Sequence, residues 1–338
     1  MNKPQAVRHP DRPDWRGVRA FIDRHQSFLV TSHIFPDGDA VGSQLALAAA
    51  LRTLGKKVLV VDEHPVPKIY EFLDRRRTAK VYDRKLDARI AKCDAAFVVD
   101  VSSLERVGEL GGAIARAGLA TACIDHHRTN AGEFGVNVIV PTAASTGELI
   151  YDLVLDLGVS VAPAIARAVF VAESTDTGWF RFPNTTPHAH RLAADLVERG
   201  VKPGQMYAAI HETVRWQRMN LMKLVLGTLH SACDGRIAYF YMTHDMLRES
   251  GATQEDAEDF TDIPRVLHSV KLILFFRETR GKIKISLRSK DGPSVVGIAK
   301  KHGGGGHAKA AGILMDGTLD AAIKTILADA KALLRRHA

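Results

Sequence analysis

The stretch that decides the fold reads Phe28-Leu-Val-Thr-Ser-His33-Ile-Phe-Pro-Asp37-Gly-Asp39-Ala-Val-Gly-Ser43 and continues as an alanine- and leucine-rich run to Gly55. Its first residues are short, apolar and β-branched, the mark of a buried strand. Leu45, Leu47, Leu51 and Leu54 among alanines, with Gly55 as a stop, predict a helix. Between them lies a turn carrying one imidazole and two carboxylates. In an α/β sheet such a turn sits at the carboxyl end of its strand, where ligands bind. Gly38 lets the backbone bend so that Asp37 and Asp39 reach a common centre. Pro36-Asp37-Gly38 is also ordinary turn chemistry, so the later segments decide between the two readings.

Those segments repeat the pattern. Residues 57–62 (Lys-Val-Leu-Val-Val-Asp) form a second apolar run, residues 95–99 lead into Asp100, and residues 120–124 lead into Asp125-His126-His127. A helix capped by Ser145 or Thr146 runs to Gly158, and another from Pro163 carries Asp176 in its last turn. This strand–helix alternation predicts an α/β domain, a mostly parallel sheet with helices on both faces. All carboxyl ends of its strands share one edge. His33, Asp37, Asp39, Asp100, Asp125, His126, His127 and Asp176 therefore converge.

So many carboxylates in one cleft repel one another unless cations hold them. Carboxylates with a minority of imidazoles and no thiolate suit manganese first, with magnesium, cobalt or zinc as alternatives. Two divalent ions sharing a carboxylate would activate a bridging hydroxide and clamp a phosphoryl oxygen, so in-line attack on phosphorus is the expected reaction. No G-x-S-x-G turn and no paired Cys and His compete for the chemistry.

With 338 residues the chain is long enough for two domains. A formal net charge of +8 favours an anionic partner. Cys93, Cys123 and Cys233 are odd in number and far apart, which argues against a disulfide framework or a thiolate zinc site. No apolar run approaches the roughly 20 residues of a membrane span, and the polar start lacks a signal-peptide core. A cytoplasmic protein without a membrane partner is expected, with the residues up to about Asp14 as a frayed tail. The catalytic domain is expected over residues 15–186.

After Asn184 the character changes. Residues 187–229 read as a helical connector, and 230–338 as a second, smaller α/β domain. Strands are expected at 237–242, 270–277 and 282–288, with a final helix at 319–334. Ile283, Ile285 and Leu287 alternate with Lys284, Ser286 and Arg288, so one face of that strand is polar and basic. Gly303, Gly304, Gly305 and Gly306 precede His307; the run is either a flexible turn or a backbone nest for an anion. Arg288 and His307 are the expected grips on a terminal phosphate or base, with Arg265 and Lys309 as weaker candidates. The active site is expected in the cleft between the domains.

Asp125-His126-His127, with His33-x-x-x-Asp37-x-Asp39 and Asp100 before it and Asp176 after it, resembles the signature of the DHH phosphoesterase superfamily. The Gly303–His307 segment resembles that of the DHHA1 substrate-binding domain. From Trp15 to Leu334 the chain is similar to the two-domain NrnA type, bifunctional oligoribonucleases (nanoRNases) and 3′-phosphoadenosine-5′-phosphate (pAp) phosphatases. The resemblance implies that His33 and Asp37 hold one metal, that Asp39, His126 and Asp176 hold the other, and that Asp100 bridges both. It implies a scissile-phosphate contact for His127, oriented by Asp125, and substrate contacts for Arg288, Gly303–Gly306 and His307. Phe35 departs from the pattern, standing where many relatives carry Asn.

The expected function is hydrolysis of short oligoribonucleotides to mononucleotides and of pAp to AMP and phosphate, with homodimers frequent in the family. Three alternatives stand beside it: a phosphodiesterase of linear or cyclic dinucleotides such as pApA or cyclic di-AMP, a pyrophosphatase or exopolyphosphatase, and a non-catalytic nucleic-acid-binding protein.

Overall fold

The computed structural model describes residues 7–11, 13–279 and 281–337. The chain divides between Thr213 and Val214 into two compact units. The first contains α1 (Arg16–Arg24), β1 (Ser27–Thr31), α2 (Gly38–Thr53), β2 (Lys57–Asp62), β3 (Ala79–Val81), α3 (Asp87–Ile90), β4 (Ala95–Val99), α4 (Glu109–Arg116), β5 (Ala120–Asp125), β6 (Val136–Ile139), α5 (Thr146–Asp156), α6 (Pro163–Asp176), α7 (Pro187–Glu198) and α8 (Pro203–His211). Its sheet runs β3-β2-β1-β4-β5-β6, with every neighbouring pair parallel. Strand order therefore reverses between β1 and β4, and the crevice at that switch point opens at their carboxyl ends.

Both faces of this sheet are covered, which is why its strands read as continuous apolar runs. Phe28, Val30 and Phe97 pack against Leu47, Leu51, Leu149 and Phe170 on one face. Leu29, Ala96 and Val98 pack against Leu110 and Ile114 on the other. Each fully buried large apolar side chain of this kind contributes roughly 1.5–3 kcal/mol. Helix α2 is buried along most of its length. Its small residues are the reason: a Cβ on Gly42 would lie 2.4 Å from the Ala168 carbonyl of α6.

Edge strands β3 and β6 carry no clear sequence signal, being three and four residues long. The expected frayed tail is corrected by the residues described from it. His9 is buried, its N–H donates to Asp152 Oδ1 at 3.2 Å, and its Nε2 lies 3.1 Å from Glu148. Trp15 Nε1 donates to Asp152 Oδ2 at 2.7 Å. A buried carboxylate on α5 thus recruits the polar segment that composition alone assigns to solvent.

The expected connector at 187–229 is divided between the units. Leu192 and Leu196 of α7 and Met206 and Ile210 of α8 join the core of the first unit. Leu221 and Val225 of α9 (Trp216–Leu226) join a core of the second. Apolar stripes on these helices draw each to the nearer sheet.

The second unit holds a mixed sheet of order β11-β12-β10-β9-β8-β7. Its strands are β7 (His230–Ala232), β8 (Ile237–Met242), β9 (Leu272–Thr279), β10 (Lys282–Ser289), β11 (Gly305–Gly306) and β12 (Ala310–Asp316). Around it lie α10 (His244–Ser250), a 3-10 segment Glu255–Val266, α11 (Val296–Lys301) and α12 (Leu319–Arg335). Ile283, Ile285 and Leu287 face Ile326, Ala330 and Leu334 of α12. The alternation in β10 therefore places Lys284, Ser286 and Arg288 on the opposite face. Among the described residues, no helix is long and apolar enough to cross a membrane.

Candidate metal centre

Four segments of the first unit meet at the carboxyl edge of its sheet. The loop after β1 carries His33, and Asp37 and Asp39 stand at the start of α2. Asp100 follows β4, Asp125-His126-His127 end and follow β5, and Asp176 closes α6. Three groups each bring one ligand atom per residue within 4.8 Å of one another: His33, Asp37 and Asp100; Asp39, His126 and Asp176; and Asp100, His126 and His127.

Asp100 lies between the first two groups. Its Oδ2 is 3.7 Å from His33 Nε2 and its Oδ1 is 3.7 Å from His126 Nε2. Its φ of +57° is uncommon for a residue with a side chain. His33 Nε2 also faces Asp37 at 3.8 Å. His126 Nε2 also faces Asp39 at 3.8 Å and Asp176 at 3.6 Å. The other ring nitrogens are occupied by the backbone: His33 Nδ1 lies 2.7 Å from Ile34 O, and His126 Nδ1 lies 3.2 Å from Ala143 O. Donation from Nδ1 leaves each Nε2 lone pair aimed into the carboxylate cluster, the tautomer a metal requires.

His127 is oriented differently. Its Nδ1 lies 2.7 Å from Oδ1 of the fully buried Asp125, and its ring is nearly half exposed. Asn130 Nδ2 donates to the other Asp125 oxygen at 2.8 Å. Asp125 therefore has its oxygens engaged behind the cluster, and His127 Nε2 is left pointing away from that bond.

Hydrogen bonds from α5 hold the acidic residues in place. Thr146 N and Gly147 N donate to Asp39 at 2.7 and 2.9 Å, Ser43 Oγ adds a third bond at 2.8 Å, and Thr146 Oγ1 donates to Asp100 at 2.9 Å. Ser145 caps α5, accepting from Glu148 N at 3.1 Å, so the helix presents its N-terminal N–H groups to the site. Asn184 Nδ2 donates to Ala144 O and Asp176 O at 3.0 and 3.1 Å. The supporting roles of Ser43, Thr146, Asn130 and Asn184 escape the sequence reading. The cap pattern at Ser145 and Glu148 is the one signal that bears on them.

The electrostatics fit a cation. Burial, and then Asp100, Asp176 and Asp37, push Asp39 well above the usual carboxylate range. Burial pushes Asp176 up to about 6, with His126 opposing and Asp100 and Asp37 adding to the rise. Burial works against a charged His33, yet its bonds to Asp100 and Asp37 raise it to about 10. Such crowding of oxygen and imidazole donors is relieved by divalent ions.

Phe35 lies outside this cluster. It adopts φ +53°, is largely exposed, and stacks on His64 at 3.8 Å between ring centroids.

In the second unit the glycine run is neither a free turn nor, at its start, an open nest. Gly303 N and Gly304 N donate to Lys300 O and Ala299 O at the end of α11. Gly305 and Gly306 pair with Gly312 and Ala311 of β12. A Cβ on Gly304 would lie 2.1 Å from Gly312 O, so glycine here serves close backbone approach. His307 is exposed, and its N–H donates to Ala310 O at 2.7 Å. Arg288 is partly buried, with Nε 3.5 Å from Asp262. Arg265 also pairs with Asp262, and Lys309 donates to Gly292 O.

Residues 27–172 match the DHH family N-terminal domain, and residues 234–336 match the DHHA1 domain. The bifunctional oligoribonuclease and PAP phosphatase NrnA of Thermus thermophilus is 33% identical over 299 residues, covering 88% of this chain and 87% of that protein. The chain belongs to the DHH family, NrnA type. The Bacillus subtilis protein of the same name is 28% identical over 323 residues, covering 94% of this chain and 97% of its own length. Among solved structures, an exopolyphosphatase-related protein from Bacteroides fragilis superposes with a TM-score of 0.79 at 26% identity, covering 96% of this chain and 98% of that one. The parallel sheet and the clustered ligands from His33 to His127 thus lie within the DHH match, Asp176 stands four residues beyond it, and the β10 face and glycine run lie in the DHHA1 domain.

Proposed function

We propose that this chain is a metal-dependent phosphoric-ester hydrolase that cleaves short oligoribonucleotides to mononucleotides and converts pAp to AMP and phosphate. One observation carries the reading: both oxygens of Asp100 face an imidazole Nε2, His33 on one side and His126 on the other, each at 3.7 Å. A carboxylate so placed suits two cations at once.

His33 and Asp37 would hold one ion, Asp39, His126 and Asp176 the second, and Asp100 both. Two divalent ions, manganese first by donor chemistry, supply Lewis-acid charge and an activated water at neutral pH. His127 contacts the scissile phosphate through Nε2, because Asp125 occupies its Nδ1 and fixes the ring. Burial opposes the charged form, but the hydrogen bond to Asp125 outweighs it and raises His127 above its ordinary value. A protonated ring then neutralises charge on phosphate. The DHHA1 unit grips the nucleotide end through Arg288 and His307, with Gly303, Gly304, Gly305 and Gly306 giving a surface bare of side chains. The names of the Thermus and Bacillus relatives support this substrate class.

A hydrolysis panel with added manganese tests the reading: pAp, pApA, cyclic di-AMP, RNAs of two to five residues, long RNA and pyrophosphate. Turnover of pAp and short RNA is expected. Turnover of pyrophosphate alone would replace this reading with a pyrophosphatase.

A further inference from the structure

Arg277 on β9 is the most unusual cation of the second unit. It is only 7% exposed, and its Nε is fully buried with no hydrogen-bond partner. The neighbouring cations have acids: Arg215 pairs with Asp256, Arg218 with Asp259, Arg265 and Arg288 with Asp262, and Lys282 with Asp316. Among the described residues Arg277 lies within 4 Å of no carboxylate. Its guanidinium carbon lies 5.4 Å from the centre of the Phe275 ring. Burial lowers its pKa; Glu258, exposed and beyond ion-pair distance, opposes this weakly, and Arg288 adds to it. A buried guanidinium without a counter-charge is costly to maintain. A site that retains one is built for an anion that arrives with the ligand.

The strand register identifies what shares its surface. Arg277 stands opposite Lys284, Phe275 opposite Ser286, and Ile273 opposite Arg288. Residues directly opposite one another project to the same face, so all six lie on the face turned away from α12. Ser286 sits between the two arginines along this face, and its neighbour on β12 is Gly312, which pairs with Gly305 of β11. No side chain from β11 or β12 stands over that row. Ile273 and Phe275 are fully buried beneath Ala257 and Phe260 of the 3-10 segment, so the row is covered on its β9 side. Gly305 and Gly312 are exposed on the other side, and a phosphate entering from there to Ser286 would meet one guanidinium from each end.

We propose that Arg277 is a phosphate-binding residue of the DHHA1 unit, which takes the terminal phosphate of the nucleotide substrate in a two-pronged grip beside Ser286 and opposite Arg288. This rests on the reading that the second unit holds the nucleotide end. A planar fork of N–H donors matches two oxygens of one phosphate, which a lysine ammonium does not.

Binding to the full chain kept metal-free with EDTA tests the site, since no turnover intervenes. The probes are pAp, inorganic phosphate and adenosine. Arg277→Met keeps the length of the side chain and removes the charge. It should weaken pAp roughly tenfold to a hundredfold, the scale of charged hydrogen bonds, and leave adenosine unchanged. Arg277→Lys should fall between. Inorganic phosphate should bind more weakly than pAp yet lose affinity in the same order, which separates a phosphate site from a base site. In the absence of ligand, Arg277→Met should unfold at the same or a higher temperature, because an uncompensated charge has been removed. Unchanged pAp affinity would overturn the proposal, and a lower unfolding temperature beside it would make Arg277 a structural residue. Manganese-dependent turnover of pAp by the unaltered chain is scored separately. Its loss would sink the proposed reaction without touching the binding result.

Discussion

Thr146 Oγ1 lies 2.9 Å from Oδ1 of Asp100, and through this bond the start of α5 sets the angle of the carboxylate that lies between His33 and His126. The Thr146 N–H meanwhile holds Asp39 at 2.7 Å. Thr146→Val removes only the first bond. Metal affinity should fall about 10- to 100-fold, the usual effect of losing an outer hydrogen bond to a ligand. Thr146→Ser should restore it. Manganese titration by calorimetry measures both, and equal affinities for all three proteins would refute the link.

Asp100→Ala should reduce turnover by a factor on the order of a thousand or more, since several kcal/mol of charge stabilisation depend on paired ions. The metal-free variant should be no less stable than the parent, because one member of a crowded acidic set is gone. Thermal unfolding in EDTA beside steady-state rates checks the two halves together. Near-normal turnover would remove Asp100 from the bridging position.

His127→Ala should lower kcat while the protein still binds two equivalents of manganese by elemental analysis. Asp125→Asn should act through the same ring. The hydrogen bond to Asp125, working against burial, raises His127, so its charged form persists to higher pH in the parent than it would without that carboxylate. In the variant the alkaline limb of the rate profile should move to lower pH. An unshifted limb would mean that this imidazole does not act in its charged form.

Glu173, on α6 three residues before Asp176, offers a pH test of stability. It is fully buried, and burial, then Glu148, pushes it up to about 8 from 4.5, with Asp176 adding to the rise. A folded value above the unfolded one means that the folded chain binds more protons between those limits. Stability of the metal-free protein should therefore decline as pH rises from about 4.5 through 8. Glu173→Gln should flatten that slope, as denaturant midpoints across the range will reveal.

His307→Ala should raise KM for pAp and leave kcat nearly unchanged, the pattern of a group that binds ground and transition states alike. Lost kcat at constant KM would move His307 from gripping substrate to the chemistry.

Much of the metal centre is readable from the chain because every candidate ligand but Asp176, which closes α6, follows an apolar strand. Strand and ligand are neighbours in sequence, and in a parallel sheet the ends of all strands share an edge. The alternation of Ile283, Ile285 and Leu287 with Lys284, Ser286 and Arg288 is equally local, and β10 turns the two sets to opposite faces, although Ser286 is buried as well. Less legible is β12, where Ala310, Ala311 and Gly312 carry little strand signal and only pairing with β10 makes a ladder. The docking of His9 is silent in sequence for the same reason: its partners, Asp152 and Glu148, lie more than a hundred residues away.

By itself the sequence determined which side chains stand at the ends of strands and helices, because hydrophobic period and turn chemistry act over a few residues. It thereby marked the acids and imidazoles of the first unit. The tertiary structure alone decided that β1 and β4 are neighbours, which sets Asp100 between His33 and His126, and that α5 delivers Thr146 to them. It alone left Arg277 buried with no acid in ion-pair reach among the described residues. Those are matters of strand order and packing, and they depend on contacts between segments that no local pattern encodes.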